Sequence, residues 1–84
     1  MAVYRKMPIV IRAVQWRGDN LAGVLQALDV SEHAPLSVVG PILTIITLEG
    51  AMQCPVGHWV IKGVAGELYP CDPRVFEMTY EAVS

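Results

Sequence analysis

The chain has 84 residues, a formal net charge of −2, 54% hydrophobic residues and only 17% charged ones. That length allows one small domain over residues 1–84, which buries about 60–65% of its unfolded surface and has no room for a second domain or a deep enclosed active site. The overall acidity argues against nucleic acid as a partner. The mean hydropathy is +0.44, and between Glu32 and Lys62 the only formal charge is Glu49. A thin core cannot hide that much apolar chain, so a homo-oligomer or a partner is expected to cover part of it.

Arg5, Lys6, Arg12 and Arg17 are four of the six basic residues, and no acid precedes Asp19. Two cysteines, Cys54 and Cys71, are too few for a disulfide framework. The N-terminal residues lack the apolar run of a signal peptide. Residues 35–48 are interrupted by Ser37, Gly40, Pro41, Thr44 and Thr47, too broken to span a membrane. The expected location is the cytosol, with reduced thiols.

In chain order, residues 9–16 read as a first strand, rich in β-branched side chains and preceded by Pro8. Asp19 or Asn20 caps a short helix whose Leu21, Val24, Leu25 and Leu28 form one apolar stripe. Gly40-Pro41 separates two strands, residues 36–39 and 42–48, and Glu49-Gly50 turns into a third at 51–54. The chain is expected to be organised on a hairpin at residues 57–69, whose arms at 59–62 and 67–69 flank the corner Gly63-Val64-Ala65-Gly66. Asp72-Pro73 starts a single helical turn over residues 74–77. Residues 78–83 read as a last strand beside the first, setting Glu77 and Glu81 near Arg12, Arg17 or Lys6. The expected fold is α+β: a small, bent, mostly antiparallel sheet, forming a partly open barrel, with one short helix and one helical turn.

No catalytic or metal signature stands out. Cys54, His58, Cys71 and His33 have no zinc-site spacing, and no metal or cofactor is expected. A Cys–His nucleophilic pair built from the same residues would need an orienting group and an oxyanion hole that nothing marks. The polar and aromatic set Gln15, Trp16, Trp59, Lys62, Tyr69 and Tyr80 offers amides, indoles, phenols and one cation, suited to a planar anion. Gln15, Trp16, Lys62 and Tyr69 are its candidate ligand residues. The plainer reading makes the aromatics core and Lys62 a solvated strand end. Leu36, Val38, Ile42 and Ile45 are the candidate oligomer or partner surface.

Two segments carry a resemblance. One is Tyr4-Arg-Lys-Met-Pro-Ile-Val-Ile-Arg-Ala-Val-Gln-Trp16 followed by Gly-Asp-Asn20; the other runs from Gly57-His-Trp-Val-Ile-Lys-Gly through Gly66-Glu-Leu-Tyr-Pro-Cys-Asp-Pro-Arg-Val-Phe-Glu-Met-Thr-Tyr-Glu81. With Thr47-Leu-Glu-Gly50 between them, they resemble a family of small phage and prophage proteins with a central Pro-Gly-Asp-Tyr/Trp motif. This chain departs from that pattern: His58 stands in place of the aspartate, Val56 is inserted, Arg12 replaces a glutamate and Met7 a lysine. The resemblance implies expression in an infected bacterium, in the host cytoplasm, and no known reaction. By analogy with small accessory phage proteins, it implies a non-catalytic binding protein that neutralises a host factor, in antiviral defence, by binding a host protein. Sequestration of a nucleotide signal at a subunit boundary is one alternative; a structural or virion-associated assembly module is another.

Overall fold

The computed structural model describes residues 1–5 and 7–83. The described residues form six strands and two helices: β1 (Arg12–Gln15), α1 (Leu21–Ala27), β2 (Leu36–Val39), β3 (Ile42–Thr47), β4 (Gly50–Cys54), β5 (Trp59–Lys62), β6 (Leu68–Cys71) and α2 (Pro73–Thr79). All strand pairs are antiparallel, and the fold is mixed α+β. The strands divide between two three-stranded sheets, ordered β1-β5-β6 and β2-β3-β4, rather than closing into a barrel.

The core lies where the inner faces of the two sheets meet α1. Leu43, Ile45 and Cys54 come from one sheet, Val60 and Leu68 from the other, Val24 and Leu28 from α1 and its end, and Trp16 from the loop after β1. Of the stripe that predicted α1, Val24 and Leu28 enter the core and Leu21 packs against it. Asn20 precedes the helix without a side-chain cap. Its amide instead ties the β1–α1 loop, accepting from the Arg17 N–H at 2.8 Å and donating to the Gln15 carbonyl at 3.0 Å. The helix ends in a Schellman pattern: the Val30 N–H bonds the Leu25 carbonyl and the Asp29 N–H the Gln26 carbonyl, with Asp29 at φ +54°.

Three expectations are revised. Strand β1 begins at Arg12, not residue 9, because its partner β5 ends at Lys62 and the chain then turns at Gly63, leaving nothing opposite residues 9–11. The last segment is not a strand. The Asp72 side chain accepts from the Arg74 N–H at 2.8 Å and Pro73 opens the helix, which runs two turns to Thr79. Phe76 then stacks on Trp59, with ring centroids 4.0 Å apart and planes 5° from parallel, which fixes α2 against β5. Residues 80–83 follow without regular structure. The expected approach of Glu77 and Glu81 to Lys6 falls outside the described residues.

Candidate binding surfaces

The four candidate ligand residues do not converge. Strand register puts Gln15 and Tyr69 on one face of the β1-β5-β6 sheet and Lys62 on the other. Trp16 is 0% exposed and belongs to the core. Its indole N–H donates to the Pro41 carbonyl at 2.9 Å. Its backbone N–H donates to the His58 carbonyl at 2.9 Å, and its carbonyl accepts from the Gly57 N–H at 2.7 Å. The Gln15 amide is engaged nearby, donating to the Gly57 carbonyl at 2.9 Å. The Gln-Trp pair of one segment thus clamps the Gly-His loop of the other, so these residues join the chain to itself.

Lys62 has a structural partner too. Its Nζ donates to the Asp29 carbonyl at 3.1 Å, while Arg12, directly opposite it in register, reaches the Ala27 carbonyl at 3.5 Å. Two like charges facing each other across a strand pair repel. Here both point at the C-terminal end of α1, whose carbonyls and dipole offset that repulsion. On the other face, the Tyr69 hydroxyl lies 3.5 Å from that of Tyr80. Burial, then the bond to Tyr80, pushes the Tyr69 phenol up to about 12.

The cysteine chemistry is equally muted. Cys54 is buried, its Sγ 3.8 Å from the Trp59 carbonyl, and burial pushes its thiol up to about 11. Cys71 is half-buried on β6, and burial, then the Asp72 carboxylate, raises it as well. Neither environment favours the thiolate that nucleophilic chemistry requires. Among the described residues, no three His, Cys, Asp or Glu side chains are grouped to hold a metal ion. No helix among them is long and apolar enough to cross a membrane.

The surface that stands out is the outer face of the β2-β3-β4 sheet. Register places Leu36, Val38, Leu43, Ile45, Met52 and Cys54 on the inner side. Ile45 is wholly buried there and Leu36 packs against the core, so neither belongs to an external surface as expected; Val38, on the same side of edge strand β2, is 39% exposed. The outward set is Ser37, Val39, Ile42, Thr44, Ile46, Ala51 and Gln53. Val39 is 68% exposed and Ile46 50%. Of the four candidate surface residues, Ile42 alone lies on this face. No residue of the three strands carries a formal charge, and the β2 edge has no proline, lysine or bulge to discourage another chain. Ile46 escapes a reading from sequence because β3, Ile-Leu-Thr-Ile-Ile-Thr, is apolar on both sides and shows no alternation to separate its faces.

No protein-family model, curated protein or solved structure matches this chain.

Proposed function

We propose that this chain is a non-catalytic binding protein of phage origin that acts in the cytoplasm of a bacterial host, neutralising a host defence factor by occluding a host protein. The outer face of β2-β3-β4 is its contact surface. The observation that carries the reading is the uncharged outward face, where Val39, Ile42 and Ile46 alternate with Ser37, Thr44 and Gln53. A face of β-branched side chains interleaved with neutral hydrogen-bonding groups matches the apolar core of a protein interface, where charge is depleted. The phage setting is supported by the similarity of residues 4–16 and 57–81 to small phage and prophage proteins. Nucleotide sequestration is disfavoured, because Trp16 is core and Lys62 is bonded to the end of α1.

Native mass spectrometry of the chain purified from bacterial cells tests this. The reading predicts a stoichiometric complex with one host protein. Recovery of the chain with a nucleotide, or of the chain alone in any copy number, contradicts it. Incorporation into purified virions would instead support the assembly-module alternative.

A further inference from the structure

A second feature involves the segments before β1 and after α2. Residues 7–11 precede β1 and residues 80–83 follow α2; both lie outside every strand and helix. Among the described residues, none of the turn and loop backbone hydrogen bonds reaches residues 7–10 or 81–83. Between them is an open cleft of about 670 Å³, walled by Ile9 and Ile11 on one side, Tyr80 and Val83 on the other, with Tyr69 also lining it. Among the described residues, the charged ones that line it are Glu67 and Glu81. The start of the chain is uncovered: Val3 is 92% and Tyr4 90% exposed. The radius of gyration is 13.6 Å, above the roughly 12 Å of a compact chain this long.

We propose that two copies of this chain exchange N-terminal arms, Val3, Tyr4 and Arg5 of each copy filling the cleft between residues 9–11 and 80–83 of the other. Charge complementarity selects this occupant. Residues 1–17 hold four basic side chains and no acid, whereas residues 67–84 hold Glu67, Asp72, Glu77 and Glu81 against Arg74 alone. Val3 and Tyr4 supply apolar surface to an apolar cleft, and Arg5 meets its two carboxylates. The copy's own arm is poorly placed to do this. Residues 7–11 already form one wall, and a chain reversal would have to occur just before them. Pro8 opposes that reversal by holding Met7 to extended conformations. Exchange is reciprocal, so it closes as a two-fold dimer, and extended arms entering between unpaired segments gain backbone partners as well as side-chain contacts.

Light scattering coupled to size-exclusion chromatography across a concentration series tests the proposal on the full chain. The parent should run as a concentration-dependent dimer. Tyr4→Asp and Arg5→Glu should each weaken dimerisation about tenfold or more with an unchanged circular dichroism spectrum, since both residues are exposed in one copy. Arg5→Glu combined with Glu81→Arg should recover the dimer. A parent that is monomeric at every concentration overturns the proposal. So does a dimer that tolerates both arm variants, including one broken by Ile46→Asp, which would place self-association on the β2-β3-β4 face.

Discussion

Trp16 donates its indole N–H to the Pro41 carbonyl at 2.9 Å, and this bond joins the end of β1 to the β2–β3 turn, linking the two sheets through a fully buried side chain. Trp16→Phe removes the donor, leaves the Pro41 carbonyl without this partner and opens a void where the larger ring was. The expected loss is about 2 kcal/mol, a large share of a small domain's stability. Urea denaturation measures it; a loss below about 0.5 kcal/mol, the scale of a surface substitution, would show that the indole does not hold the sheets together.

Alkaline pH should loosen the fold in two overlapping steps. The buried Cys54 thiol is raised from 9.0 to about 11, so the folded state prefers the neutral thiol. That stabilisation is complete below pH 9 and is lost as the pH climbs through about 11. Tyr69, raised from 10.0 to about 12, follows the same sign one unit higher. The urea midpoint should hold level from neutrality to about pH 9 and then fall. Cys54→Ala should flatten the lower part of the decline and Tyr69→Phe the upper; a decline untouched by either substitution would assign it to other groups.

Two glycines are needed for different reasons. Gly57 has φ +95°, and a Cβ there would meet open space, so Gly57→Ala costs backbone strain alone, about 1–2 kcal/mol. Gly63 has ordinary φ, but a Cβ would strike the Glu67 side chain, whose carboxylate accepts the Ala65 N–H at 3.2 Å. Gly63→Ala should cost about 1 kcal/mol by displacing it. Adding Glu67→Ala should then cost little more, whereas for Gly57→Ala the two losses should add. Thermal melts of the single and double variants distinguish the cases.

The elements were legible where turn chemistry is explicit. Gly40-Pro41 and Glu49-Gly50 bracket β2, β3 and β4 as expected, and three of the four residues of the α1 stripe, Leu21, Val24 and Leu28, pack on the core. What failed was anything set by a partner distant in sequence. Residues 9–11 have the composition of a strand, but Gly63 ends the strand that would have paired with them. Residues 78–79 look compatible with a strand, yet the Asp72 cap and the Phe76–Trp59 stack extend the helix through them. For the site, residue types suggested a pocket, but Gln15 and Trp16 are neighbours in sequence with different surroundings, one at the sheet end and one in the core. The choice between Ile45 and Ile46 as the exposed residue depended on register, Ile45 opposite Met52 and Ile46 opposite Ala51, which a strand with apolar residues on both sides does not reveal.

The proposed contact surface is tested most directly at Ile46, half-exposed on the outer face of the central strand β3. Calorimetric titration of the co-purified host protein should be compared for the parent, Ile46→Asp, and Arg74→Ala as a control on the far side of the fold. Burying an unpaired carboxylate in an apolar interface should weaken binding about a hundredfold or more, with Arg74→Ala close to the parent and all three melting alike. Binding by Ile46→Asp within about threefold of the parent, under 1 kcal/mol, would contradict the account.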